Sequence, residues 1–298
     1  MSRNILYQIH YFYSMLIFIA LFLRHLYGQT HTAEHNKRIM LKRHRIQFPK
    51  NESSKLNQDE VYFYLEEEDG QRKIRFHDYD KIYQIHGLYE QIFYDRLKCT
   101  SPEKVSTILE ASLKQSGGNL SKLRVLDFGA GNGMMGEALK KYGVSRLVGI
   151  DILPEAYEAM VRDRPGLYDA YYVEDLTQLS TEKKEDIASW QCDCMVTVAA
   201  LGFGDIPVKA FIEALNIVKT KGWLAFNIKE TFFDTNDKSG FSKMIRELIF
   251  SEYLDVYHIE RYRHRLSIDG EPLYYFAIAG RKNADIPTEF LESKGIID

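Results

Sequence analysis

From Leu123 onward the chain alternates short apolar runs with longer amphipathic ones. The run ending at Val125-Leu126, then Arg146–Asp151, Tyr168–Val173, Cys192–Ala199 and Trp223–Ile228, have the length and apolar content of strands. Helical stretches lie between them: one beginning around Glu137–Lys140, then Pro154–Arg162 with proline in its first turn, Thr181–Trp190, Pro207–Lys219 and Lys238–Ser251. Two last strands, Tyr253–Arg261 and Pro272–Ala279, flank a turn at Asp269-Gly270. Five β/α units closed by a hairpin predict an α/β fold, a Rossmann-like doubly wound sheet of seven strands with a terminal antiparallel hairpin. Upstream, Glu60–Phe76 predicts a small hairpin turning at Gly70. Tyr83, Ile85, Leu88, Tyr89, Ile92, Phe93 and Leu97 follow at helical spacing, with Gly87 placed to split the run in two. Pro102–Gln115 predicts a further amphipathic helix, with Ser101 as N-cap and Gly117-Gly118 as its stop.

The beginning of the chain lacks this periodicity. Tyr11–Leu23 is a nearly unbroken apolar run with Arg3 before it and Arg24 and His25 after it. It is shorter than the ~20 residues of a bilayer span, and extending it back to Ile5 takes in Gln8 and His10. No small-x-small cleavage site follows it cleanly. A membrane anchor, an upstream stretch left untranslated by a start at Met40, and an export signal are the three readings, export being the least favoured. As an anchor it would leave the remainder in the cytoplasm, because the basic residues are heavier after the run. The expected organisation is a hydrophobic segment at 1–29 (membrane anchor or non-native start), a polar linker at 30–60, a hairpin and helical lid at 61–118, the main domain at 119–283 and a tail at 284–298.

Composition narrows the function classes. The 298 residues are 45% hydrophobic and 27% charged, as in a globular protein, and the formal net charge of −3 gives no general attraction to nucleic acid or acidic membranes. With no basic stripe in view, a nucleic-acid partner is disfavoured; the partner expected is a small molecule, with a membrane contact only through 1–29. The three cysteines make no disulfide framework and suit a reducing compartment, here the cytoplasm. Cys192-x-Cys194 has half the spacing of a zinc site but no second pair, so no metal is expected.

The chemistry concentrates in Val125-Leu-Asp-Phe-Gly-Ala-Gly-Asn-Gly133. A strand ends in Asp127, and Gly129, Ala130, Gly131 and Gly133 form a loop in which a ligand can touch backbone. The helix start that follows offers unpaired N–H groups. Gly131-Asn-Gly-Met-Met-Gly136 also satisfies the dinucleotide fingerprint, so the glycines alone leave an NAD(P)-dependent oxidoreductase open. Asp127 separates the two readings, since a carboxylate there repels a pyrophosphate and welcomes an ammonium. Tyr94-Asp-Arg-Leu-Lys98 has the spacing of a reductase Tyr-x-x-x-Lys, but it lies upstream of the glycine loop.

The stretch resembles motif I of the class I S-adenosylmethionine-dependent methyltransferases, a strand followed by Asp/Glu-x-Gly-x-Gly-x-Gly, and the chain looks like the methyltransferase-like type 11–12 group. The resemblance covers about Leu123–Lys282. It implies S-adenosylmethionine (SAM) as cofactor, with Asp127 holding the methionine ammonium, Asp151 accepting from the ribose hydroxyls and Asp175 accepting from the adenine amine. Glu174 is the alternative for that last role, and Ile152 and Leu176 would flank the adenine. It also implies a lid upstream of motif I that supplies a tyrosine, for which Tyr79, Tyr83 and Tyr94 are candidates.

For the acceptor, the fourth strand is followed by Ala199-Ala-Leu-Gly-Phe-Gly-Asp-Ile-Pro207, without the Asn/Asp-Pro-Pro-Tyr/Phe clamp used on planar amino groups. Phe203 could pack on a substrate. Asp205 is a base or, more in keeping with Pro207, a helix N-cap. Asn227 and Lys229 at the end of the fifth strand are further acceptor candidates. Arg261-Tyr-Arg-His-Arg265 reads as a strand with arginines on one face and Tyr262 and His264 on the other; the arginine face is solvated or anion-binding, and His264 is the other base candidate. With no acceptor motif in view, a non-catalytic SAM-fold scaffold stays an alternative.

Overall fold

The computed structural model describes residues 43–49, 56, 58, 60–233 and 239–297. The hydrophobic segment expected at 1–29 lies outside the described residues; among these, no helix is long and apolar enough to cross a membrane.

Seven strands form the main sheet: β4 Arg124–Phe128, β5 Arg146–Asp151, β6 Ala170–Val173, β7 Cys194–Thr197, β8 Trp223–Lys229, β9 Leu254–Leu266 and β10 Pro272–Lys282. Their order is β6-β5-β4-β7-β8-β10-β9. The first five are parallel, and β10 enters antiparallel between β8 and β9. The six-stranded dinucleotide fold has a different order, with no inserted antiparallel strand.

Successive strand residues serve opposite faces, as the two-residue period requires. Leu126, Phe128, Val148, Ile150, Met195, Leu224 and Phe226 join one core with helices α7 Val208–Ile217 and α8 Phe241–Phe250. Val125, Leu147, Cys194, Val196 and Ala225 join the other, beneath α3 Ser101–Gln115 and α4 Met134–Lys140. Cys192 precedes β7 and so escapes its alternation: it joins the first core and Cys194 the second, as free thiols that do not face one ligand site. Between the sheet strands run α5 Pro154–Asp163 and α6 Thr181–Ser189.

The residues expected as a tail contain α9 Thr288–Ser293, and Ile286 and Leu291 are buried in the first core. This end is tied by Lys282, which is wholly buried. Its ammonium donates to Leu215 O at 3.0 Å, to Val218 O and to Asp285 at 2.7 Å. A cation is favoured there because the last carbonyls of a helix lack intrahelical donors.

The upstream hairpin is β2 Tyr62–Glu67 and β3 Gly70–Arg75, edged by β1 Ile46–Gln47. The lid follows as α1 Tyr79–Tyr83, then α2 Leu88–Glu90 continuing into a π-helical turn at Gln91–Arg96. Gly87, at φ 73°, separates the two helices as its spacing suggested. Gly117, at φ 74°, and the bond from Gly118 N to Leu113 O at 2.7 Å end α3. Its start departs from expectation: the helix begins at Ser101, Thr100 occupies the cap position, and no side chain caps it. The Ser101 hydroxyl instead meets Tyr262 at 2.6 Å and His264 at 2.5 Å, a stronger claim on a buried hydroxyl than a terminus water can reach.

Lys282→Met keeps the length of the buried side chain and removes its charge. It is expected to cost about 1–3 kcal/mol, since the Val218 carbonyl loses this donor while Leu215 O keeps the Val218 N–H at 3.2 Å. Urea unfolding would show this as a lower midpoint with an unchanged slope.

Candidate functional site

The parallel strands end on one side of the sheet, where open α/β sheets gather their ligands. The turn after β4 carries three left-handed glycines: Gly129 at φ 71°, Gly131 at 54° and Gly133 at 94°. The space that side chains would take is already filled. A Cβ at Gly131 would collide with the Tyr83 hydroxyl, and one at Gly133 would lie 2.7 Å from Leu167. Below the turn, Gly136 leaves room for Tyr168 and Gly149 for Tyr171. Tyr171 donates to Gly131 O at 2.7 Å, and Tyr168 donates to Asp127 at 2.6 Å.

Asp151, at the end of β5, accepts from Gly131 N at 2.8 Å and Leu153 N at 3.0 Å. Burial raises its pKa, partly opposed by these backbone bonds. The carboxylate stands on the wall of a cavity of about 260 Å³ with Gly129, Ile152, Glu174, Asp175 and Leu176. Ile152 is 58% exposed, an apolar side chain held at the mouth, whereas Leu176 is buried. Asp175 accepts from Thr177 N at 2.9 Å and Thr177 Oγ1 at 2.7 Å, and these bonds hold its pKa below the usual carboxylate value. Ala130, Gly131 and Gly133 belong to the same turn as Gly129 but do not line this cavity.

Asp127 is buried under the turn, away from the cavity wall. Among the described residues its second carboxylate oxygen has no hydrogen-bond partner, and neither has the Thr197 hydroxyl at the end of the neighbouring strand β7. Burial pushes the Asp127 pKa up to about 7; the Tyr168 bond opposes this and Asp151 adds to it.

The lid closes the opposite wall with Tyr79, Tyr83 and Tyr89. Burial carries the Tyr79 and Tyr83 phenols well above their ordinary range, so both stay neutral. Tyr94 instead packs on the lid's own apolar cluster. Two arginines pin the lid. Arg162 donates to Tyr83 O at 3.0 Å, while Arg164 joins Glu90 at 2.8 Å, Asn132 O at 3.1 Å and Glu137 at 2.9 Å. Glu90 also accepts from the Asn132 amide at 2.8 Å, which ties the lid to the glycine turn. Burial would lower the Arg164 pKa, but Glu90 and Glu137 more than offset it.

On the acceptor side, Asp205 is not the N-cap of α7; Pro207 holds that position. The carboxylate reaches His77 instead, with Nδ1 2.9 and 3.1 Å from its two oxygens. In the tautomer with its proton on Nδ1, facing the carboxylate, the ring keeps a lone pair on Nε2. His77 went unnoticed in the sequence because its partner lies across the fold, beyond any local spacing. Asn227 is buried, donating to Tyr262 at 2.8 Å and accepting from Ala199 N at 2.7 Å. It thus holds Ala199 at φ 58°, and Phe203 in the same loop sits at φ 54°. Two non-glycine residues in the left-handed region mark this loop as one kept by its surroundings. Phe203 packs on His77 with ring centres 5.5 Å apart, and Lys229 Nζ lies 5.4 Å from the Phe203 ring.

A second cavity of about 40 Å³ shares His77, Tyr79, Tyr89, Ala199 and Asp205 with the first and adds Gln58, Cys99, His264, Arg265 and Tyr275. Burial pushes the His264 pKa well below its ordinary value, with Arg265 adding to the effect. The ring is therefore neutral, its Nδ1 taken up by Ser101.

Residues 126–226 match a family model described as a methyltransferase domain. No curated protein matches the chain. Similar solved structures include the N-methyltransferase NodS from Bradyrhizobium japonicum WM9 in complex with S-adenosyl-L-homocysteine, 20% identical over 61% of this chain and 87% of that one, with a TM-score of 0.44. Magnesium protoporphyrin IX methyltransferase (ChlM) from Synechocystis PCC 6803 with bound SAM is 15% identical over 61% of this chain and 79% of that one, with a TM-score of 0.43. A SAM-dependent methyltransferase from Mesorhizobium loti is 14% identical over 59% of this chain and 96% of that one, also with a TM-score of 0.43.

Two predictions follow from the geometry of the turn and lid. Because the folded-state pKa of Asp127 is raised, its carboxyl favours the folded state at low pH, and that contribution is lost as pH rises through about 7. Asp127→Asn should therefore gain stability relative to the native chain between about pH 4 and 7, by on the order of 1 kcal/mol per pH unit, and level off above. Urea titrations of both proteins at several pH values read this directly. Arg164→Ala should release the lid: amide hydrogen exchange across 79–96 should quicken about tenfold, with sheet amides unchanged.

Proposed function

We propose, on the premise that the chain carries a class I methyltransferase domain across residues 126–226, that it transfers the methyl group of SAM to a small-molecule acceptor. The observation that carries this reading is the join between the glycine turn and Asp151. Gly131 N–H holds one carboxylate oxygen, and the same carboxylate faces a cavity edged by the apolar pair Ile152 and Leu176. A ribose offers two hydroxyl donors to such an acid, and a purine fits between two apolar side chains.

The residues fit the cofactor in other respects. One Asp127 oxygen and the Thr197 hydroxyl are buried without a hydrogen-bond partner among the described residues, polar capacity that a ligand's donors and acceptors can use. In this reading Asp151 serves the ribose and Asp175 the adenine amine, with Glu174 beside it on the wall, and Asp127, buried behind the wall, serves the methionine ammonium through a bridging water. SAM, when bound, supplies an electrophilic methyl carbon on a sulfonium that leaves as a neutral thioether. Tyr79, Tyr83 and Tyr89 exclude water from the space over the turn. His77, oriented by Asp205, is placed to receive a proton at Nε2 from an acceptor that carries one. Asn227 positions the acceptor-side loop, and Phe203 packs on the His77 ring. The pocket on the acceptor side, at about 40 Å³, favours a small acceptor over a polymer. The three free thiols suit the cytoplasm.

Calorimetry on the full chain tests the reading. S-adenosylhomocysteine is expected to bind, NAD(H) is expected not to, and Asp151→Ala should weaken binding at least ~30-fold, a loss of ~2 kcal/mol for charge-assisted bonds. Binding of NAD(H) alone would overturn it in favour of an oxidoreductase. Binding of S-adenosylhomocysteine with no methyl transfer across a broad acceptor panel would favour a scaffold.

A further inference from the structure

Strand β9 contains an irregularity that the sequence does not announce. Arg263 pairs with Tyr274 and Arg265 pairs with Leu273, so His264 is an extra residue between two consecutive partners on β10. Alternation would place Arg261, Arg263 and Arg265 on one outer face. The bulge breaks it: Arg261 and Arg263 are exposed, whereas His264 and Arg265 are both buried. A bulge re-aims the side chain that follows it, and here it sends a guanidinium onto the wall of the smaller cavity.

Arg265 is 5% exposed. Its Nη1 donates to Leu266 O at 2.9 Å, and its guanidinium carbon lies 5.4 Å from the Phe76 ring centre. Tyr79, Tyr89, Tyr275 and Cys99 are the titratable groups acting most strongly on it, all neutral hydroxyls or thiols. Among the described residues no carboxylate makes an ion pair with it; the acid on the same wall, Asp205, is engaged by His77. A buried guanidinium without an anion is costly to maintain. A second polar group on this wall also has an unused acceptor among the described residues: Gln58 gives its Nε2 to Tyr275 at 2.9 Å, while its Oε1 is buried with no donor among them. The cavity, at about 40 Å³, has the room of a group of two or three heavy atoms.

We propose, resting on the methyl-transfer reading above, that the acceptor is a small carboxylic acid whose carboxylate is received by Arg265. The planar fork of a guanidinium matches a carboxylate better than any other common anion of that size. Gln58 adds an acceptor for an N–H or O–H beside the carboxylate. The two cavities meet at His77 and Asp205, so an acid anchored at Arg265 presents its remaining atoms at the shared wall, where the proton acceptor sits. Arg265 is thus a substrate-binding residue and His77 the base.

The test uses the full chain, labelled SAM and matched probes: 3-hydroxybenzoate, imidazole-4-acetate and glycine, each beside its carboxamide. Methyl transfer or, for probes that lack a suitable methyl-accepting atom, calorimetric binding to the protein loaded with S-adenosylhomocysteine should favour the acids by about 100-fold over the amides. Arg265→Gln should erase that preference, mainly through KM, while binding of S-adenosylhomocysteine changes less than about threefold. Arg265→Lys should retain part of the preference, because it keeps the charge and loses the fork. Amides used as well as acids, an unchanged preference in Arg265→Gln, or no acid bound or methylated by a protein that binds S-adenosylhomocysteine would each overturn the proposal. If Arg265→Gln fails to fold, the acid-to-amide ratio of the native protein decides alone. If S-adenosylhomocysteine does not bind at all, the methyl-transfer reading fails separately, and calorimetry of the acids on the unloaded chain still reads the Arg265 site.

Discussion

Backbone without side chains, approached closely by tyrosines, is the constraint on which the site depends. Gly131 lies against the Tyr83 hydroxyl, Gly136 against Tyr168 and Gly149 against Tyr171. Each contact fixes a different layer. Tyr83 brings the lid down onto the turn, Tyr168 holds the acid beneath it, and Tyr171 bonds the turn's own carbonyl. The turn can therefore keep three left-handed residues in place without a helix or strand of its own, and the strand ends on either side present their carboxylates at fixed positions.

The lid is held by charge as well as by rings. Glu90 on one side and Glu137 on the other converge on Arg164, which also takes the Asn132 carbonyl of the turn. Both Glu90 and Arg164 are largely buried, so the pair is weakly screened, and losing Arg164 would leave the Glu90 charge with the Asn132 amide in place of a cation. The cavity wall and the lid are in this sense one assembly, built across α2, the glycine turn and the end of α5.

Much of this was legible locally. The glycine spacing, the acids at strand ends and the terminal hairpin are patterns of adjacent residues, and the structure builds the seven-stranded order they imply. What escaped the sequence involves partners far apart in the chain. Ser101 reads as a cap because serine before proline opens helices, yet Tyr262 and His264 claim its hydroxyl from across the fold. Asp205 reads as a cap for the same reason, yet it turns to His77. The alternating arginines of β9 give no sign of a bulge, because no glycine or proline interrupts them. Tyr89 lines the cavity and Tyr94 does not, although their ring centres are 6.2 Å apart, a difference that depends on how the lid seats on the rest of the fold.

That bulge separates two kinds of information in the fold. The cradle at the ends of β4, β5 and β6 is written in residue types, glycines and acids that tolerate little exchange. The charge of the inner pocket is written in register, in the one extra residue, His264, that β9 carries between the partners of Leu273 and Tyr274. The hairpin stands at the edge of the sheet, remote in topology from the cradle, and strands there can gain or lose a residue without altering the parallel core. Relatives with the same cradle could thus differ in what they accept through the length of an edge strand, with every arginine still present in the sequence.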